Sequence, residues 1–165
     1  MKKPDIKIPF KTSSLGRVEF DLDLSAADKK RFISIEFKLD SGSDFTTLSV
    51  DDLFSLGYTE DYLHSCPIHV SSKEGVTTAD GKQINLQYIS NLSIKFYDRE
   101  LQGCRAYFCL GTKMRSLFGS DLLKYFDREV NYSNGTLILK ELNEKPPLSQ
   151  GETLIQIYEL SELKN

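Results

Sequence analysis

Three consecutive residues, Asp40, Ser41 and Gly42, bring together a carboxylate, a small hydroxyl and a glycine. They follow residues 33–39, whose apolar side chains at every second position predict a half-buried strand. A carboxylate at a strand end, held by a glycine turn, is placed to act as a general acid or base. The Ser41 hydroxyl can tie down such a turn. Asp40 is therefore the candidate catalytic residue; the alternative is an ordinary turn after a strand.

Strands and short helices are predicted on both sides of this tripeptide. Residues 17–24 alternate apolar and charged side chains, which predicts a strand that pairs with residues 31–39. Ser49 is a good N-cap and Gly57 a good terminator, so a short helix is expected between them. Two further hairpins are expected at turns whose central residues favour positive φ, namely Asp80-Gly81 and Asn134-Gly135.

Composition and charge narrow the class of protein. The 165 residues include 21 Lys and Arg against 24 Asp and Glu, a net charge of -3 without a basic stripe, so nucleic acid is not an expected partner. No apolar run approaches the roughly 20 residues of a membrane span, so no membrane partner is expected. The three cysteines are an odd number without framework spacing, and no apolar signal core follows Met1. These features predict free thiols and a cytoplasmic location.

Residues 58–72 contain both histidines and one cysteine, at His64, Cys66 and His69. These are metal-ligand types, but no second cluster completes a four-ligand site. A surface loop is therefore the prediction for this stretch. Neither a metal nor another cofactor is expected.

Three segments, taken together and in this order, resemble the retropepsin-like aspartic proteases, a family whose bacterial members are single-domain proteins. Residues 40–48 read Asp-Ser-Gly-Ser-x-x-Thr-x-Leu, which is similar to the family's active-site segment. Residues 76–84 are similar to its flap hairpin. Leu117, Phe118 and Gly119 precede a short predicted helix, as in the family's other structural motif. The resemblance extends over roughly residues 17–140.

The resemblance implies an all-β fold with one or two short helices and a closed β-barrel of the acid-protease type. Residues 1–140 would form the protease domain. Residues 141–165 would be a linker and a C-terminal strand, packed on the same domain or at a dimer interface. The apolar residues of this tail are expected at or near that interface, namely Leu154, Ile155, Ile157 and Tyr158.

The implied activity is that of an aspartic endopeptidase acting on peptide or protein substrates. Because the chain carries one Asp-Ser-Gly, the resemblance implies a homodimer in which water is activated between two Asp40 carboxylates. Ser41 would brace this pair and Gly42 would let the backbone approach. The implied substrate-binding residues lie beside the tripeptide and in the flap: Asp44, Phe45, Thr78, Ala79, Asp80 and Gly81.

Two other functions are compatible with the residues alone. The first is a catalytically inactive protein of the same fold that binds peptides or scaffolds a complex. The second is an unrelated β-barrel binding module in which Asp40 is only a turn residue. Cleavage of peptides that depends on Asp40 would separate the protease from the first, and the absence of twofold pairing of Asp40 would favour the second.

Overall fold

Apolar side chains that recur at every second position build a mainly β fold around one core. The computed structural model describes residues 3–28, 30–69, 76–77, 81, 83–148, 152 and 154–163. The strands are β1 (Ile6–Pro9), β2 (Lys11–Thr12), β3 (Val18–Ser25), β4 (Ile33–Leu39), β5 (Val76–Thr77), β6 (Gln83–Ile84), β7 (Gln87–Phe96), β8 (Arg99–Phe108), β9 (Leu117–Phe118), β10 (Phe126–Asn131), β11 (Thr136–Glu141) and β12 (Gln156–Glu159). The helices are α1 (Val50–Ser55), α2 (Glu60–His64) and α3 (Ser120–Leu123), and a 3₁₀ helix follows at Leu160–Leu163.

The strands form one large curled sheet and two small ones. The large sheet has seven strands, six of them in the order β12-β8-β7-β3-β4-β9, with β2 paired to β3. A three-stranded sheet has the order β1-β11-β10, and β5 pairs with β6. Among the described residues, β12 and β9 end the large sheet without pairing with each other. The mainly β prediction is confirmed, but the structure does not show the closed barrel that was expected.

The predicted hairpin before the tripeptide is confirmed. β3 and β4 pair antiparallel, with Phe20 opposite Phe37. Such pairing places the apolar side chains of both strands on the same face of the sheet. The hairpin at Asn134-Gly135 is also present, between β10 and β11, and Gly135 has the positive φ (65°) that its turn requires.

The helices agree only in part with the sequence prediction. α1 begins where expected, because the Ser49 side chain accepts a hydrogen bond from the amide of Asp52. The expected surface loop at residues 58–72 instead contains α2, capped in the same way by Thr59. The described residues therefore contain three α-helices, where one or two were expected. The sequence feature that could have predicted α2 is Thr59 followed by Glu60 and Asp61, a capping residue with acids in the first turn.

A cluster of phenylalanines fills the core beneath the end of β4. The Phe118 ring lies edge-on to Phe20, Phe37 and Phe96, with centroids 5.9, 6.0 and 5.6 Å away. Phe37, Phe96 and Phe118 are fully buried. Edge-to-face aromatic pairs add about 0.5–1.5 kcal/mol each beyond area burial. The cluster therefore helps to fix the two-residue strand β9, together with the backbone hydrogen bonds of 3.0 Å that Leu117 exchanges with Thr47.

One buried arginine joins the two larger sheets. Arg99, at the start of β8, is fully buried and donates to the carbonyl oxygen of Pro4 over 2.8 Å. It also forms ion pairs with Asp98 (2.6 Å) and with Glu141 (3.9 Å) at the end of β11. A guanidinium has five donors in a fixed fork and can serve several partners at once. Arg99 therefore ties the entry of β1 and the end of β11 to the large sheet.

The C-terminal strand covers an edge of its own chain. β12 pairs antiparallel with β8, with Ile157 opposite Leu101. Ile155 just before it is buried, while Leu154 remains 40% exposed. The predicted dimer-interface location of the tail residues stays a prediction. Among the described residues, no helix has the length and apolar character needed to span a membrane.

Replacement of Arg99 by Met should destabilise the fold. Met preserves much of the apolar volume but leaves the carboxylates of Asp98 and Glu141 without their shared cation. Since both carboxylates retain some exposure, we expect a loss of roughly 2–4 kcal/mol, near the lower end for broken buried ion pairs. Urea unfolding followed by circular dichroism measures it. The exposed Arg128→Met is the matched control, and equal stability of the two variants would contradict the role given to Arg99.

Candidate active site

Asp40 lies where β4 ends, beside the only parallel pair among the described strands. β4 and β9 pair parallel, with Lys38 opposite Leu117 and Leu39 opposite Phe118. The amide of Asp40 continues this pairing by donating to the carbonyl oxygen of Phe118 over 3.0 Å. The backbone at Asp40 is thus fixed by a strand that is itself fixed by the phenylalanine cluster.

The turn after Asp40 is closed by backbone amides. The amide of Gly42 donates to the Asp40 Oδ1 atom over 3.1 Å, and the amide of Ser43 donates to the Asp40 carbonyl oxygen over 3.1 Å. A Cβ added at Gly42 would lie 3.4 Å from Asp40 Oδ1, so the glycine leaves room beside the carboxylate. Ser41 is exposed and makes no hydrogen bond with another described residue, so backbone amides do what was expected of its hydroxyl.

A lysine that the sequence interpretation overlooked stands next to the candidate carboxylate. The Lys38 Nζ atom lies 3.8 Å from Asp40 Oδ2. The two side chains are 22% and 30% exposed, respectively. Residues i and i+2 of a strand point to the same face, which is the signal that could have found Lys38. One oxygen of Asp40 therefore faces an amide and the other faces an ammonium group.

Gly119 allows two backbone segments to touch behind the active-site turn. A Cβ at this position would lie 2.4 Å from the Phe45 carbonyl oxygen and 3.0 Å from that of Ser43, distances that real Cβ atoms do not adopt. The amide of Ser120 donates to the Ser43 carbonyl oxygen over 2.8 Å, and its hydroxyl donates to the same atom over 3.0 Å. The glycine is needed here for close approach, since its φ of -99° is open to any residue.

A second carboxylate supports the same turn from α3. Asp121 accepts hydrogen bonds from the Thr46 hydroxyl (2.6 Å) and the Thr46 amide (3.0 Å), and that hydroxyl accepts in turn from the Gly119 amide. Burial raises the pKa of Asp121 to about 6, although its hydrogen bonds act in the opposite direction. Asp121 lies on the short helix predicted after Gly119 and does not repeat the Asp-Ser-Gly pattern, so the sequence alone does not single it out. Its partner Thr46, within the motif, was the available signal.

Aromatic side chains line the other flank of the turn. The Phe45 ring packs on Tyr107 with centroids 4.6 Å apart and on His69 with centroids 5.0 Å apart. Tyr88 extends the group at 5.8 Å from Tyr107, and the Arg105 guanidinium lies over the Tyr88 ring. Burial and the charge of Arg105 lower the pKa of His69 below its usual value. The Phe45, His69 and Tyr107 rings therefore form a mainly apolar group close to Asp40 in sequence, with the Arg105 cation at its edge.

The predicted flap is described only at its edges. Thr78, Ala79 and Asp80 lie outside the described residues. Gly81 is exposed with a φ of +85°, which suits a glycine in a hairpin turn, and β5 pairs with β6 around it. Asp44 is exposed beside the turn. The structure therefore brings Asp40, Ser41 and Gly42 together with the residue 117–119 motif, and leaves the flap assignments as predictions.

The two histidines and the one cysteine of residues 58–69 do not come together as a metal site in the described structure. His64 lies 3.7 Å from Glu60 on α2, whereas His69 packs in the aromatic group. In the described ranges no three His, Cys, Asp or Glu side chains are arranged to hold a metal ion. The chemistry available to the site is therefore that of a carboxylate with an amide and an ammonium group beside it.

Comparison with solved structures identifies the same architecture in a known protease. The chain is similar to the crystal structure of a retropepsin-like aspartic protease from Rickettsia conorii, with a TM-score of 0.57 and 21% sequence identity. The superposition covers 84% of this chain and 91% of that one. No protein-family model matches the chain, and no curated protein matches it. The likeness shows a shared fold and, at this identity, the fold alone.

Asp121 should make the stability of the protein fall as pH rises from about 4 to 6. Its pKa in the folded state, about 6, exceeds the ordinary 3.8, so the folded chain holds this proton more tightly than the unfolded chain. The stabilisation is complete below pH 4 and lost by neutral pH, and at about 1.4 kcal/mol per pKa unit it amounts to at most roughly 3 kcal/mol. Asp121→Asn should flatten this slope.

The measurement is urea unfolding of both proteins at several pH values between 4 and 7. The two proteins are compared by the slope of the unfolding free energy against pH, and not by its absolute value, because Asn also changes the hydrogen bonds to Thr46. The exposed Asp127→Asn is the control and should keep the wild-type slope. Parallel slopes for wild type and Asp121→Asn would contradict the inference.

Proposed function

We propose that this protein is an aspartic endopeptidase that works as a homodimer. The observation that carries the proposal is the Asp40 carboxylate, fixed at the end of β4 by parallel pairing with β9 and by the Gly42 amide. It occupies this position in a fold shared with a retropepsin-like aspartic protease. The site holds one such carboxylate per chain, whereas peptide hydrolysis by the aspartic-protease mechanism needs two.

Two copies related by a twofold axis would supply the pair. Carboxylates at hydrogen-bonding separation share a single proton, because two like charges so close are unfavourable. The ionised carboxylate takes a proton from water while the water oxygen attacks the peptide carbonyl carbon, and the other carboxyl gives its proton to the carbonyl oxygen. In the second step the C–N bond breaks as the departing amine takes a proton from one carboxyl, and a hydroxyl of the intermediate returns its proton to the other carboxylate, which restores the shared proton. No cofactor enters this sequence.

Residues around the turn have distinct proposed roles. Ser41 is exposed beside Asp40, where its hydroxyl can brace the carboxylate pair, and Gly42 keeps the backbone clear of the carboxylate. Asp44 and Phe45, with flap residues Thr78–Gly81, would bind the peptide. The Phe45, His69 and Tyr107 rings offer an apolar surface for one substrate side chain.

A cytoplasmic location is part of the proposal. Cys66, Cys104 and Cys109 are all free, and burial raises the pKa of the Cys66 thiol above its ordinary value. Buried, protonated thiols behave as small apolar side chains. Free thiols are the common state in a reducing compartment.

Asp40→Asn should abolish hydrolysis while the fold persists. Asn has the same volume and keeps an oxygen for the Gly42 amide, but it cannot accept the proton of the attacking water. We expect a loss of at least about a hundredfold in kcat/KM, the usual contribution of a general acid or base. Digestion of a peptide library by wild type, Asp40→Asn and the exposed Asp127→Asn measures it. Retained cleavage by purified Asp40→Asn would refute the assignment, and binding without cleavage by wild type would identify a peptide-binding protein.

Specific activity should fall when the enzyme is diluted through its dimer dissociation constant. Each chain provides one Asp40, so a monomer holds half of the proton-sharing pair. Activity measured against protein concentration should follow the dimer fraction from analytical ultracentrifugation. Mixing wild type with excess Asp40→Asn should also inhibit, because mixed dimers carry a single carboxylate. Full activity in a monomeric species is the result that this model cannot accommodate.

A further inference from the structure

The ammonium group of Lys38 is a fixed feature of the catalytic surface. Lys38 lies two residues before Asp40 in the same strand direction, so both side chains emerge on one face of the sheet. Their 3.8 Å separation places the Lys38 Nζ atom at the carboxylate itself. A substrate side chain bound next to Asp40 would therefore lie within reach of this cation.

Neighbouring acids do not draw Lys38 away from the site. Glu19 is directly opposite Lys38 in the β3–β4 register, but its carboxylate is hydrogen-bonded to the Arg115 guanidinium. Glu36, on the same face of β4, is bound by Lys11 over 2.7 Å. In the described part of the chain, Asp40 is the only ion-pair partner of Lys38.

Counted by themselves, the Asp40 and Lys38 side chains of the proposed dimer carry a surplus of positive charge. Two Asp40 carboxylates that share one proton carry a single negative charge. Two Lys38 ammonium groups, one beside each Asp40, carry two positive charges. The Glu19–Arg115 pair next to them is neutral as a unit. An incoming carboxylate would restore neutrality, whereas an incoming ammonium group would add to the excess.

We propose that Lys38 makes the enzyme selective for substrates with Asp or Glu beside the scissile bond. This inference rests on the proposed protease function and specifies its substrate class. The acidic side chain pairs with Lys38, while the Phe45 surface on the other flank takes an apolar side chain. An ion pair in a partly buried, peptide-covered site is stronger than one in open solvent. Lys38 is then a specificity-determining residue as well as a neighbour of Asp40.

The test compares peptides that differ only by Glu or Gln. In a peptide that the enzyme cleaves, Glu is placed in turn at each position flanking the cut, and each version is matched by its Gln isostere. We expect kcat/KM for the best Glu peptide to exceed that for its Gln match about tenfold, the factor that about 1.4 kcal/mol provides. High salt should reduce this ratio, because screening weakens ion pairs.

Variants of Lys38 assign the preference to its charge. Lys38→Met should bring the Glu-to-Gln ratio close to one, and Lys38→Arg should retain it. Lys38→Gln replaces Lys38→Met if the latter fails to fold. Lys11→Met removes a lysine of the same sheet whose ion-pair partner is Glu36, and it should leave the ratio unchanged. If Lys38→Met instead loses activity on the Glu and Gln peptides by the same factor, Lys38 only positions Asp40. That result would overturn the proposal.

Failure of the proposed protease function gives a different pattern from failure of this inference. Cleavage without any Glu preference in wild type would leave the protease standing and remove the role of Lys38. If wild type cleaves nothing, the same fluorescently labelled peptide pairs are tested for binding by polarisation. Tighter binding of Glu peptides that is lost in Lys38→Met would support acidic recognition by an inactive protein. Equal binding of both peptides would overturn the inference.

Discussion

The backbone contact between residues 43–46 and residues 117–120 is the constraint on which the site depends. Gly119 lies so close to the Phe45 carbonyl oxygen that no side chain fits between them. Parallel pairing of β4 with β9 holds one side of this contact, and Asp121 bound to Thr46 holds the other. Because both segments are fixed, the turn at residues 40–43, which leads into the first segment, holds Asp40 at one position. A rigid turn of this kind would lower the reorganisation that the proposed reaction requires.

Environment gives the two carboxylates near this contact different properties. Asp40 is partly exposed, with an amide on one oxygen and a lysine near the other. Asp121 is half-buried, burial raises its pKa to about 6, and its oxygens accept hydrogen bonds from Thr46 and from the Leu122 amide. Since both Asp121 oxygens accept hydrogen bonds within the protein, Asp121 supports the turn, whereas the Asp40 side chain is partly open to solvent.

The edges of the fold are closed by means other than a complete barrel. β12 covers β8 within the chain, and the buried Arg99 connects the small sheet to the large one. Both devices act on strands other than β4, which pairs with β3 and β9. Among the described residues, no strand of the three-stranded sheet pairs with a strand of the large sheet. The contacts of Arg99 therefore link the two sheets where backbone hydrogen bonds between strands do not.

Local patterns in the sequence determined much of this protein. The alternation in residues 18–39, the Ser49 cap and the Asp40-Ser41-Gly42 turn depend on neighbours in the chain, so their structures could be predicted. The Lys38–Asp40 ion pair was also open to prediction, because residues i and i+2 of a strand share a face. The Asp121–Thr46 bonds and the location of Arg99, by contrast, depend on contacts between distant segments. Periodicity carries no information about such contacts. Only the tertiary structure decided which acid faces solvent and which becomes a half-buried support, because burial and partners, not residue type, set those roles.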